Sequence, residues 1–272
     1  IKNLKKQNAM STSRTFLAVE SYKDKTTPIS VYEAFYQAKL SNGNSIDELQ
    51  LKNGRCAKVL TDGQTNHSQF VIGLLTGYNL FEKTNDALRL YTPLNLGKSQ
   101  SKRNFNIGLV QSYLKNGERF SKIYFRPKAS HPELCSGFVT INNATKTIKS
   151  VELSAKPSSL DGMVAIEDLS FEMSFHFRTN SDNQVVFDKI NITYDYKDER
   201  LSQVHTISTM AEMIFYNYDN EFLLPLCFLP ELNSDEEKLL ALPYNVQLWT
   251  QEYCLIRKKS NANKISEINT GI

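Results

Sequence analysis

Leu169-Ser170-Phe171-Glu172-Met173-Ser174-Phe175-His176-Phe177-Arg178 alternates apolar and polar side chains without a break. A period of two sends successive side chains to opposite faces of an extended chain, so this stretch reads as a strand with one apolar face and one wet face. Asp168, Ser170, Glu172, Ser174, His176 and Arg178 make up the wet face. A polar turn covers residues 179–184. Val186, Ile190, Ile192, Tyr194 and Tyr196 then form a second apolar row, opposed by Lys189, Asn191, Thr193 and Asp195. Two such rows joined by a short polar turn are neighbouring antiparallel strands.

The same pattern extends in both directions. Upstream, Ile107, Leu109 and Gln111 share a face, Asn116-Gly117 makes a turn, and residues 120–126 form a strand closed by Pro127. Residues 138–141 and 148–155 read as two more strands, separated by a turn over 142–146. Downstream, a strand covers 204–216. Strands every roughly 10–15 residues with short turns mark an antiparallel meander and not βαβ units. One-sided apolar rows place one face of the sheet on a core or a ligand cavity and the other in water.

The N-terminal part reads differently. Residues 1–23 hold good helix formers and no Gly or Pro, which predicts a helix; Pro28 ends it. Residues 29–40 are aromatic and β-branched, and Ser41-Asn42-Gly43-Asn44 is a turn leading to a strand over 46–60. Asn53-Gly54 marks a bulge or second turn within it. Residues 68–76 place Phe70, Val71, Leu74 and Leu75 at helical spacing, whereas Lys98, Lys102 and Arg103 fall in what reads as an exposed loop. Near the C-terminus Ser234 can cap a short helix, with Glu237 at the capping-box position. The expected fold class is α+β: a curved antiparallel sheet or half-barrel with the helices of 1–23 and 68–76 on its concave, apolar face. Residues 1–230 make this domain, and 231–272 make a C-terminal extension that packs on it or frays from it.

Composition narrows the function. The 32 Lys+Arg and 29 Asp+Glu leave a net charge of +3, which gives no electrostatic footprint for nucleic acid. No apolar stretch is long enough to span a bilayer as a helix. The chain begins at Ile1 and not at Met, which is expected of a removed N-terminus or an excised piece; a signal, a lipid anchor or a further domain could have preceded it. Cys56, Cys135, Cys227 and Cys254 form no CxxC pair and read as buried thiols, so no metal site is expected. No nucleotide, zinc-protease or serine-hydrolase motif is found. His176 and His205 lie on predicted strands and could approach each other in space. No catalytic residue and no cofactor are assigned.

The Phe/Met row of 169–177 admits two readings. It packs under a helix, or it lines a cavity for an apolar ligand. On the second reading the lining residues are Phe171, Met173, Phe175, Ile190, Ile192 and Tyr194.

Several stretches carry a family resemblance. They are Tyr32-Glu33-Ala34-Phe35-Tyr36-Gln37, Phe120-Ser121-Lys122-Ile123-Tyr124-Phe125-Arg126-Pro127-Lys128, Gly137-Phe138-Val139-Thr140-Ile141-Asn142 with Thr145-Lys146-Thr147-Ile148, and Pro243-Tyr244-Asn245 through Leu248-Trp249 to Tyr253 and Ile256. Together they resemble the Bacteroidetes cell-envelope proteins of the carboxypeptidase-regulatory-like-domain family. The strand pair in the middle is also similar to the half-barrel of the periplasmic lipoprotein carriers of the LolA/LolB type. The resemblance implies a periplasmic or outer-membrane-associated location, a curved sheet with helices on its concave side, and no catalytic residue. The expected function is non-enzymatic binding of an apolar ligand (a lipid or a lipoprotein acyl chain) or of an envelope partner protein, with peripheral outer-membrane association. The alternative is an assembly module of an outer-membrane complex with a filled core and no ligand; a hydrolase is the weakest reading.

Overall fold

All seven strands expected between residues 105 and 216 form, and three more precede them. The computed structural model describes residues 11–41, 45–59, 66–82, 90–129, 134–155, 170–198, 205–218 and 231–242, with Trp249 and Ile268. The strands are β1 (Ser11–Lys23), β2 (Thr27–Ser41), β3 (Ser45–Lys58), β4 (Phe105–Lys115), β5 (Glu118–Pro127), β6 (Ser136–Asn142), β7 (Ile148–Ala155), β8 (Ser170–Thr179), β9 (Val185–Asp198) and β10 (His205–Tyr218). The helices are α1 (His67–Gly77), α2 (Lys98–Asn104) and α3 (Asp235–Ala241). One curved, open antiparallel sheet runs β3-β2-β1-β10-β9-β8-β7-β6-β5-β4. Every pair of sequence neighbours within β1–β3 and β4–β10 is adjacent. The exception to chain order is the seam between β1 and β10, where Leu17 faces Met213 and Val19 faces Ala211.

The expected N-terminal helix is corrected: residues 11–23 are β1, while 1–10 lie outside the described residues. The physical reason is burial on both faces. Leu17 and Val19 point into the main core, and Phe16 and Ala18 pack on the other side with Phe35 and Trp249. A strand covered on both faces has no reason to alternate, so its apolar run imitates a helix. The β-branched and aromatic content of the run then decides for strand.

The Asn53-Gly54 signal resolves as a bulge. Tyr36 pairs with Leu51 and Phe35 with Asn53, which leaves Lys52 as the extra residue. Gly54 is needed for a different reason. A Cβ there would lie 2.5 Å from the Glu33 carbonyl oxygen and 2.7 Å from Leu239 Cδ1, so the missing side chain is the seat of α3. That helix has the expected capping box, with Ser234 Oγ accepting from the Glu237 amide at 3.2 Å. It is also tied down by polar contacts: Tyr36 Oη donates to Asp235 Oδ2 at 2.9 Å, and Asn66 Nδ2 donates to Glu236 Oε2 at 2.8 Å. Asn66 is at the same time the N-cap of α1.

Where it is described, the C-terminal extension reaches both faces of the β1–β3 edge. Leu239 joins the main core, whereas Trp249 lies against Phe35 on the opposite face at a centroid distance of 5.4 Å. Ile268 packs with Val31 and Ala57. Residues 98–104, expected as a loop, are the short helix α2. It carries no apolar periodicity for sequence to register, and it is held through its buried Ser101, whose Oγ donates to the Gly97 carbonyl at 3.0 Å.

Candidate functional site

The concave face is covered over part of its width. α1 buries Val71, Leu74 and Leu75, and the segment after it brings Tyr78 onto Phe175 and Phe81 onto Phe177, with centroids 5.9 and 6.5 Å apart. Phe70 meets the Tyr194 ring edge-on at 5.1 Å. The six residues read from sequence as a ligand wall all lie together here. Register pairs Phe171 with Tyr194, Met173 with Ile192 and Phe175 with Ile190, and each is no more than 3% exposed. They belong to one continuous core cluster that runs on to Phe125, Val139 and Ile148.

Open volume lies at that far end. A cavity of about 610 Å³ is lined on the sheet side by Ile107, Ile123, Phe125, Val139, Ile141 and Ile148, from β4 to β7. Its roof is the turn 93–97 with α2, contributing Leu94, Leu96, Lys98, Ser101 and Lys102. The roof is built from short-range polar ties. Asn95 closes the turn by accepting from the Thr92 amide at 2.8 Å and donating to the Leu90 carbonyl at 3.0 Å. Lys128 anchors the other end, its amide donating to the Asn104 carbonyl at 2.8 Å and its Nζ to the Lys102 carbonyl at 2.7 Å. Phe105 and Phe125, in T-shaped contact at 6.1 Å, stand at the base of the roof.

Sequence reasoning found the strands of this wall but not the wall. The alternation of Ile123 with Phe125 and of Val139 with Ile141 was legible; that the roof is a helix, and that α1 stops short of these strands, was not. Two facing assignments are corrected: Val186 leaves the row of Ile190 and Ile192, because a register shift between His176 and Phe177 sets Phe187 in the core and Val186 opposite Arg178. Gln111 does not share the face of Ile107 and Leu109, because the β4–β5 register shifts between Leu109 and Gln111. The shift turns Gln111 to the opposite face, beside Lys122, Glu152 and His176.

The two histidines of the predicted strands do not converge. His176 pairs with Lys189 on β9, while His205 pairs with Asp198 at the other end of that strand, so the two histidines stay apart. Burial, then the Lys189 charge, lowers the His176 pKa. His205 Nδ1 sits 3.0 Å from Asp24. His67, which drew no attention in the sequence, is buried at the start of α1 with Nδ1 2.8 Å from the Tyr194 hydroxyl and 3.3 Å from Thr209 Oγ1. His131 lies outside the described residues. Cys56 and Cys135 are free thiols, and burial pushes both up to about 12; Cys227 and Cys254 lie outside the described residues. Among the described residues no three His, Cys, Asp or Glu side chains group as metal ligands, and no helix is long and apolar enough to cross a membrane.

No family model and no curated protein matches the chain, so the carboxypeptidase-regulatory-like resemblance gains no support from either. Among solved structures the chain is similar to a domain assigned to outer-membrane lipoprotein sorting from Vibrio parahaemolyticus, at 8% identity over 82% of this chain and 92% of that one, TM-score 0.36. It is similar to a LolA superfamily protein from Nitrosomonas europaea at 10% identity, covering 80% and 88% of the two chains, TM-score 0.30. A DUF1329 family protein from Desulfovibrio piger matches at 7% identity over 82% and 90%, TM-score 0.32. Likenesses of this strength place no constraint on activity, and the functional reading rests on the pocket.

Proposed function

We propose that this chain is a non-enzymatic binding protein that takes the acyl chain of an amphiphile into the pocket between α2 and β4–β7, at the periplasmic or outer-membrane side of a cell envelope. The observation that carries the reading is the pocket itself: six apolar side chains of the sheet wall surround open volume under a roof held by a few hydrogen bonds. The row Phe171, Met173, Phe175, Ile190, Ile192 and Tyr194 is the back of the same cluster, and we propose that it forms the rigid floor toward which the chain extends. Burial of an acyl chain is worth ~0.8 kcal/mol per methylene, before the entropic cost of binding is subtracted. The division of the chain is part of the proposal: residues 1–230 carry the pocket, and 231–272 brace the β1–β3 edge.

The test pairs native mass spectrometry with an environment-sensitive dye. The protein as purified should carry an acyl species that organic extraction releases, and it should bind N-phenyl-1-naphthylamine with displacement by dodecanoate. Ile123→Asp places a charge in the half-buried wall and should weaken dye binding by about tenfold or more, with the unfolding midpoint as a control for folding. A clean apo mass together with no dye binding would overturn the reading.

An assembly module is the second reading, and one observation favours it. The edge strand β4 exposes Ile107, Leu109, Val110 and Leu114 at 53%, 62%, 50% and 69% and carries no charge before Lys115. Natural edges are usually guarded by charge or a covering element, and β4 has only the irregularity between Leu109 and Gln111. This reading expects no dye binding by the wild type and expects Leu114→Lys to abolish self-association in light scattering.

A further inference from the structure

We infer that the amphiphile bound in the α2 pocket carries an anionic head group, which Lys98 and Lys102 receive at the mouth; the inference rests on the acyl-binding reading and specifies its ligand. Both lysines line the cavity, and among the described residues no carboxylate does. Their spacing of four places them on one side of the helix, where two like charges repel each other. Elsewhere on the sheet, lysines meet carboxylates: Lys39 with Glu48 at 2.6 Å, Lys58 with Glu236 at 3.2 Å, Lys122 with Glu152 at 3.0 Å and Lys189 with Glu212 at 3.1 Å. Lys98 and Lys102 make no such pair among the described residues, so the mouth is left with positive charge above an apolar wall. An anion lying between them relieves their repulsion, and its hydrocarbon tail is then directed into the pocket. Ammonium groups act as compact point charges without a preferred fork geometry, which suits a carboxylate or a phosphate monoester alike. The shared chemistry is a single anionic head on an acyl chain, and neutral or cationic heads are disfavoured.

The experiment displaces N-phenyl-1-naphthylamine from the full chain with four probes of equal tail length: dodecanoate, dodecyl phosphate, dodecanol and dodecyltrimethylammonium. At least one anionic probe should bind about tenfold more tightly than dodecanol, the scale of a charge-assisted hydrogen bond, with the cationic probe weakest. Whichever of dodecanoate and dodecyl phosphate binds more tightly assigns the head as carboxylate or phosphate. The Lys98→Gln/Lys102→Gln variant should bring both anions down to the affinity of dodecanol and leave dodecanol itself unchanged. Raising salt from about 50 to about 500 mM should shrink the preference in the wild type, since exposed charges are screened. Equal binding of dodecanol and both anions to the wild type overturns the inference and leaves the acyl pocket standing, as does an anion preference that survives the double substitution. Failure of every probe to bind overturns the acyl pocket, and the inference with it.

Discussion

Arg55→Ala is expected to destabilise the fold by about 3–5 kcal/mol, read as a lowered midpoint in urea. Glu33 and Arg55 face each other across β2 and β3 on the side away from the main core. The Glu33 side chain is 0% exposed, and its Oε2 accepts from Arg55 Nε at 2.8 Å, with Nη2 at 2.7 Å. The guanidinium also lies 3.9 Å over the Trp249 ring. Alanine at 55 removes this ion pair and strips one face of the indole, while the carboxylate stays buried. Removing one member of a buried pair is costlier than replacing both by apolar groups, because desolvation offsets most of the attraction. Glu33→Leu/Arg55→Leu is therefore expected to lose less than Arg55→Ala. Trp249 is the lone tryptophan of the chain, so its emission reports this contact without interference. An Arg55→Ala variant as stable as the wild type would mean that water reaches Glu33.

Phe187→Ala should cost a comparable 3–5 kcal/mol, roughly, through a cavity in the aromatic centre of the main core. Phe187 is 1% exposed and touches three other rings, Phe177, Phe215 and Phe175, at centroid distances of 5.3, 5.2 and 6.2 Å. Those rings come from β8 and β10 on either side of β9, so their positions are fixed by strand pairing and cannot collapse into the gap. Phe187→Leu keeps most of the volume and should lose less than half as much. Thermal melts of the two variants, compared directly, check the argument. Equal losses would point to ring–ring geometry and not to volume.

The sheet was legible where one of its faces meets water. From β4 to β9 polar residues on the outer face supply the contrast that makes a period of two visible, as Phe171 to Phe177 against Glu172 to His176 illustrates. The N-terminal strands lack that contrast, because Trp249 and Ile268, from the far end of the chain, cover their second face. No local pattern could report a partner about 230 residues away, and residues 1–23 accordingly read as a helix. The candidate site was half legible. Its wall is made of alternating strands, but its roof is the polar run Lys98-Ser99-Gln100-Ser101-Lys102, whose helical state follows from the Ser101 and Lys128 tethers and not from propensity. The polar reading of that run nonetheless singled out Lys98 and Lys102, the residues on which the proposed anion preference rests.

The seam between β1 and β10 sets the order in which the molecule can be assembled. Each of the other eight strand pairings joins consecutive segments and can form as soon as both have been made. Leu17 must instead wait for Met213, a contact across about 200 residues of chain, and such contacts are slow to find. Until β10 docks, the first three strands can pair only with one another. Their inner edge, carrying Phe16, Leu17 and Val19, stays bare until β10 arrives. A chain interrupted before His205 would leave two sheets without the strand that pairs with both. The vulnerable interval in folding is therefore the one before β10 docks, when that apolar edge is open to other strands.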